Sequence, residues 1–260
     1  MIKRYNDGKS FIKDNSFFLD ENKYLSVFFY LDAELLIKPD KNNYAIKVEE
    51  DNKKLLALKV EPYNLLLFGD KECLKELLDY LEKNELNYDG IMCACDIGDC
   101  LLEDNKYDLF LGMDFMEAHE YTEGTSKDVI SASIDDLDEI FDCVNNFIKD
   151  CHLTDIPNKD KIKDNINNYR IIKENNKIIS MASYSNDTDK SYRITNVYTK
   201  PEYRGLGYAR KVVNAIKNEI LDKGMIATLN VDQKNPISNH LYNILGFKKV
   251  FSQGVYTIKR

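Results

Sequence analysis

The segment Val197–Ile216, VYTKPEYRGLGYARKVVNAI, constrains this chain more than any other. A β-type run ends at Thr199, Pro201 turns the chain, and Arg204, Gly205, Gly207 and Ala209 lead into an amphipathic helix predicted over Gly205–Asp222. Small residues let the main chain approach a ligand closely, and the unpaired N–H groups of a helix start offer donors and a positive dipole to an anion. The same pattern also serves as a tight strand-to-helix turn that binds nothing, so both readings stand on these residues alone. Two other phosphate-binding spacings do not fit. A dinucleotide fingerprint needs a third glycine where Arg210 stands, and no Gly-Lys-Ser/Thr follows at the spacing of a P-loop.

The surrounding periodicity gives the chain two halves. In the first, strands are predicted at Lys54–Val60, Tyr63–Phe68, Tyr88–Cys95 and Tyr107–Met113, with an amphipathic helix over Lys71–Glu85. The polar stretch Glu120–Asp128 separates this block from the next, which places one domain at 1–123 and another at 124–260. The second half opens with a short strand at Val129–Ser133. Leu137, Ile140, Phe141, Val144 and Phe147/Ile148 then recur at helical spacing, with Asp135 and Asp136 at the positive end. A further helix at Lys159–Asn168, a hairpin about Asn175 and Asn176, strands at Tyr192–Thr199 and Met225–Val231, a short helix at Pro236–Leu245 and two last strands complete an α/β (α+β, mixed-sheet) order.

Composition narrows the function classes. The net charge of −8 argues against a general nucleic-acid binder, and no apolar run is long enough for a membrane span. The N-terminus lacks the apolar core of a secretory signal, which makes the cytoplasm the expected compartment. Charge is unevenly spread: residues 201–260 carry ten Lys/Arg against four Asp/Glu, which marks this end as an anion site or simply as an uneven solvated surface. The acid excess elsewhere would attract a cationic amine. Six cysteines lack disulfide-framework spacing, Cys93, Cys95 and Cys100 lack that of a closed zinc site, and His119, His152 and His240 are isolated from one another, so no metal is expected. Only Cys151 has a neighbouring histidine, His152, and no third group orients it as a nucleophile.

Arg204-x-x-Gly207-x-Ala209 resembles the Arg/Gln-x-x-Gly-x-Gly/Ala signature of the GNAT superfamily of acetyl-CoA-dependent N-acyltransferases. Downstream, LNVDQKNPISNHLYNILGFKKV resembles the next GNAT motif: a strand, an asparagine, a short helix carrying a tyrosine, and Gly-Phe. Asn235 suits the N-cap of that helix and Pro236 its first turn. Its buried stripe is expected to be Ile237, Leu241 and Ile244/Leu245, with Ser238 and Tyr242 on an adjoining face.

The resemblance implies an acyl-CoA cleft between two splayed parallel strands. Val197, Tyr198 and Thr199 would supply its edge; Arg204, Gly205, Leu206, Gly207, Tyr208, Ala209 and Arg210 would surround the pyrophosphate, and Asn235 would lie further along the cofactor. Tyr242 would stand near the sulfur as general acid, since a phenol with an ordinary pKa of ~10 is protonated at neutral pH. No carboxylate lies in Tyr192–Thr199 to act as base. Asp232 is a candidate, but it could equally cap the following turn. The first half has a comparable element order without a second glycine motif, and so resembles the degenerate half of two-domain GNAT proteins.

The implied function is N-acetyl transfer from acetyl-CoA to the amine of a small molecule or peptide, by a monomer or homodimer, with no metal, nucleic acid or membrane partner. The alternatives are a non-catalytic acyl-CoA-binding sensor or interaction module and, with little support from spacing, a domain binding NAD or ATP.

Overall fold

In the computed structural model, which describes residues 1–21, 23–124, 127–151 and 156–259, the chain begins with a short strand, β1 (Ile2–Arg4). Two helices follow, α1 (Gly8–Leu19) and α2 (Lys23–Leu35). Asp7 caps α1, its carboxylate accepting the Ser10 N–H at 2.7 Å. Strands β2 (Tyr44–Glu50), β3 (Lys53–Lys59) and β4 (Leu65–Gly69) then form an antiparallel run, with β1 paired to β2. A 3-10 turn at Lys71–Cys73 and helix α3 (Leu74–Lys83) lead to β5 (Gly90–Ala94), which lies parallel to β4. Helix α4 (Cys95–Glu103) and strand β6 (Tyr107–Ala118) follow.

The second series runs β7 (Ile130–Ser131), α5 (Leu137–Asp150), α6 (Lys159–Asp164), β8 (Tyr169–Glu174), β9 (Lys177–Thr188) and β10 (Ser191–Thr199). It continues with α7 (Tyr208–Asp222), β11 (Ile226–Asp232), α8 (Pro236–Ile244) and β12 (Lys248–Ile258). Its pairings repeat those of the first series: β7 to β10 are antiparallel neighbours, and β10 lies parallel to β11. The order strand, two helices, three strands, helix, strand, helix, strand therefore occurs twice. The reading of a mixed α/β fold with two comparable halves holds.

Contacts group Met1–Asp114, Asp232–Lys234 and Phe251–Arg260 into unit 1, and Phe115–Val231 with Asn235–Val250 into unit 2. The expected boundary at residues 123/124 falls within unit 2. In unit 1, strand β3 is buried on both faces. Leu55 and Ala57 join Leu77 of α3 and Leu101 of α4, while Leu56 and Leu58 join Phe11 of α1 and Phe29 of α2, as the two-residue alternation of a strand requires. Unit 2 is built the same way: Ile171, Ile178 and Met181 pack on Ile140 and Val144 of α5, and Ile179, Ala182 and Leu229 pack on Val212 and Ile216 of α7.

Several local expectations meet their physical test here. Asn175 and Asn176 take positive φ of 49° and 62°, the left-handed pair that matches the twist of a two-residue hairpin. The expected two last strands are instead the single strand β12, whose Gln253–Thr257 pairs with β5. Gly254 does not mark a turn: a Cβ there would stand 2.7 Å from ring atoms of Tyr256, so the glycine serves close packing within an extended strand. Periodicity does not reveal helices α1, α2 and α4; α2 in particular exposes Val27, Leu31 and Leu35, which blurs its polar face. No helix among the described residues is long and apolar enough to cross a membrane.

Candidate functional site

Strand β10 carries an irregularity that shapes everything around it. Its register with β9 runs Thr195↔Ser183 and then Tyr198↔Met181, so Asn196 and Val197 together oppose one residue. This is a β-bulge, and Asn196 sits in it with φ of 52°, a left-handed conformation that asparagine tolerates better than most residues. Pairing between β10 and β11 covers only Ser191↔Ile226, Tyr192↔Ala227 and Arg193↔Thr228. Beyond Arg193 the two parallel strands share no ladder, and the edge of β10 through Val197, Tyr198 and Thr199 keeps main-chain groups that β11 does not use. Tyr198 and Thr199 are buried by side chain: Tyr198 in the core beneath α5, Thr199 with its hydroxyl 2.9 Å from that of Ser180.

The chain leaves β10 through a 3-10 turn at Pro201–Tyr203 and enters α7 through two glycines in left-handed conformations, Gly205 at φ 77° and Gly207 at φ 81°. A Cβ at either would meet nothing within 4 Å, so backbone geometry rather than space requires glycine there. Gly207 is the N-cap residue, and no side chain caps the helix. Among the described residues, no protein acceptor receives the N–H groups of Gly205, Leu206, Gly207, Tyr208, Ala209 or Arg210; the first bonded amide is that of Lys211, to the Gly207 carbonyl at 3.2 Å. Six consecutive donors thus surround one exposed corner at the positive end of a 15-residue helix.

The cations nearby divide by partner. Lys211 pairs with Asp128 at 2.9 Å and Lys200 with Glu139 at 3.0 Å, whereas Arg210 is exposed and has no ion-pair partner among the described residues. Arg204 turns back along the chain: its Nε donates to the Thr199 carbonyl at 2.9 Å, its Nη2 pairs with Asp150, and its guanidinium lies over the Tyr198 ring. Its side chain therefore fixes the strand end and the loop.

Asn235 caps α8 as expected, its Oδ1 accepting the Ser238 N–H at 3.0 Å, which leaves Nδ2 as its outward donor. The buried stripe of α8 keeps the expected Leu241, packed against the core, and Leu245, but leaves out Ile237 and takes in Tyr242. Ile237 is 81% exposed and Ile244 is also exposed, while Tyr242 and Leu245 are buried and Ser238 is half-buried. The helix is rotated so that Ser238, Tyr242 and Leu245, spaced i, i+4 and i+7, face the sheet; Pro236 and the Asn235 cap fix that phase. The Tyr242 ring packs on Phe247 with centroids 6.0 Å apart, in the core with Leu229 and Val231 of β11. Burial pushes its phenol well above the ordinary tyrosine range, and the nearby Cys151 thiol adds to the shift. Its hydroxyl has no hydrogen-bond partner among the described residues.

Asp232 ends β11, and its Oδ1 accepts the Lys234 N–H at 2.8 Å, the turn-capping role open to it. His119 pairs with Glu117 at 3.1 Å, and His240 is exposed; His152 lies outside the described residues. No group of three or more His, Cys, Asp or Glu converges as a metal site among the described residues.

Unit 1 has the same strand pair but not the same corner. Its β4 and β5 are joined only at Leu65↔Ile91 and Leu66↔Met92. There β4 is followed by Asp70 rather than by a glycine pair, its carboxylate accepts the Lys54 N–H at 2.8 Å, and Glu72 stands in the first turn. Two acids at that position oppose an anion, so the one glycine-lined cradle among the described residues is in unit 2.

Residues 134–247 match the model of the acetyltransferase (GNAT) family. Among solved structures, a GNAT-family acetyltransferase from Colwellia psychrerythraea superposes with a TM-score of 0.65 at 10% identity, covering 100% of both chains. A GCN5-related N-acetyltransferase from Sphaerobacter thermophilus gives 0.57 at 12% identity over 83% of this chain and 80% of that one. Another from Kribbella flavida gives 0.51 at 12% over 82% and 89%. No curated protein matches the sequence.

Proposed function

Because residues 134–247 match the model of the GNAT acetyltransferase family, we propose that this protein transfers the acetyl group of acetyl-CoA to a primary amine by direct attack. The observation that carries this reading is the run of six amides from Gly205 to Arg210 without a partner among the described residues, ending at the exposed residue Arg210. A diphosphate satisfies donors that the protein leaves open, where burial by another protein group would be unfavourable. The unladdered edge at Val197–Thr199 would take the amides of the pantetheine arm, and the Asn235 Nδ2 would reach the same arm further on.

Acetyl-CoA supplies an activated thioester. The chain's own groups supply the rest. The main chain holds the cofactor, and Tyr242, kept protonated by burial, can give its proton to the departing sulfur. The acceptor amine loses its proton to water at the open edge, a route that leaves Asp232 in its turn-capping role.

Calorimetry with acetyl-CoA tests the cofactor part. Binding at micromolar concentration, abolished by Gly207→Val and unmatched by NAD or ATP, is the expected result; no heat from acetyl-CoA overturns it. Amine-dependent thiol release, corrected for background thioester hydrolysis, tests transfer. Tight acetyl-CoA binding with no release across a broad amine panel would instead identify an acyl-CoA sensor.

A further inference from the structure

The face of unit 2 that carries α5 and α6 holds a cleft of about 260 Å³ beside the β10 bulge. Its floor is Thr195 and Asn196 of β10, and its far wall is Asn158, Lys161, Asn165 and Asn168 of the α6 region. Asn196 is the residue before Val197, so the cleft opens at the point where the cofactor edge of β10 begins. This inference rests on the acyl-transfer reading and assigns the cleft to the acceptor.

The lining is unusual for a site meant to hold a cationic acceptor: no Asp or Glu among the described residues contributes to it. Asn196 is oriented by its own donors, since Nδ2 donates to the Ser183 hydroxyl at 2.9 Å and to the Tyr169 hydroxyl at 3.5 Å. That leaves the Asn196 Oδ1 to accept an N–H of the incoming amine next to Val197. On the opposite wall, Lys161 is exposed and has no ion-pair partner among the described residues. The main chain of Lys161 is fixed at both ends, its N–H donating to Asn158 Oδ1 at 3.0 Å and its carbonyl accepting from Asn165 Nδ2 at 2.8 Å. A neutral acceptor oxygen at the bulge and, among the described lining residues, a single cation across the cleft define a polar direction.

The geometry points to a small primary amine that also carries a carboxylate, of amino-acid size, with its amine at Asn196 and its carboxylate at Lys161. In the transfer, the amine nitrogen bonds to the acetyl carbon as the carbon–sulfur bond breaks. Tyr242 protonates the sulfur, and the amine proton passes to water.

The test compares amino acids with their decarboxylated amines on the full chain. One readout is thiol release from acetyl-CoA; the other is calorimetric binding of each amine to the CoA-loaded protein. The expected result is at least about a tenfold preference for the carboxylated member in kcat/KM and in affinity, the scale of one charge-assisted contact. In Lys161→Met that preference falls to within about twofold, and in Lys161→Glu it reverses toward the decarboxylated amine. Acetyl-CoA titrations and thermal midpoints on the same preparations match the parent, since Lys161 is exposed and outside the Gly205–Arg210 corner. Equal or better use of polyamines and decarboxylated amines by the parent, or an unaltered preference in Lys161→Met, overturns this inference while acetyl-CoA binding leaves the transfer reading standing. Failure to bind acetyl-CoA overturns both.

Discussion

The Arg204 guanidinium donates through Nε to the carbonyl of Thr199 at 2.9 Å, closing a five-residue loop between the end of β10 and the cradle. Its other end pairs with Asp150 at the C-terminal end of α5. The Arg204 side chain thus ties the strand end and α5 to the loop that leads into the cradle, and its planar fork serves two acceptors at once.

Arg204→Lys should therefore weaken acetyl-CoA binding through loop disorder. A roughly five- to tenfold rise in Kd with a loss of about 1 kcal/mol in stability is expected, the size of one or two partly exposed charge-assisted bonds. Arg210→Ala should also raise Kd, but with unaltered stability and a shallower salt dependence, because Arg210 has no ion-pair partner to lose among the described residues. Titrations at two ionic strengths beside thermal melts separate the pair.

Tyr242→Phe removes the hydroxyl and keeps the ring against Phe247. Acetyl-CoA affinity should stay within about twofold while kcat falls by about 10²-fold, the range for loss of a positioned acid. Because burial raises the phenol pKa, the parent's kcat should show no loss of the acid form up to pH 9. Turnover equal to the parent's in Tyr242→Phe would remove the tyrosine from the mechanism.

Asp32 on α2 is buried, and its carboxyl is pushed up to about 6, burial outweighing the attraction of Lys59. A carboxyl raised above its unfolded value penalises folding once ionised, so the penalty is complete above pH 6 and fades as pH falls toward 4. Asp32→Asn should raise the thermal midpoint at pH 7.5 by about 2–5 °C and give no gain at pH 4. Melts across this range check both the sign and the window.

Lys217 on α7 is fully buried, and its ammonium donates to the Glu120 carbonyl at 3.0 Å, the Leu245 carbonyl at 3.0 Å and the Thr122 hydroxyl at 2.5 Å. Burial alone lowers its pKa, and three oxygens satisfy its three donors. Lys217→Met takes that donor from the buried Leu245 carbonyl, the part-buried Glu120 carbonyl and the Thr122 hydroxyl, and should cost about 2–4 kcal/mol. Denaturant unfolding reads this directly; a loss under 1 kcal/mol would show that water replaces the ammonium.

Local chemistry was enough to read much of this molecule from its residues. The Asn175–Asn176 hairpin follows from the left-handed tolerance of asparagine, the α8 start from its Asn235 cap, and the α7 entrance from two glycines with positive φ. These are short-range effects, in which a residue acts on neighbours within a few positions. Long-range packing decided the rest. Periodicity could not set the phase of α8, because Ile237 is as apolar as Leu245 and only the sheet beneath determines which of them is covered. The motif alone could not show that Arg204 pairs with Asp150, since Asp150 lies 54 residues earlier in the chain. Nor could it show the cleft beside the bulge: Asn196, Ser183, Tyr169 and Lys161 are brought together only when β10, β9, β8 and α6 pack, and no spacing in one dimension encodes that.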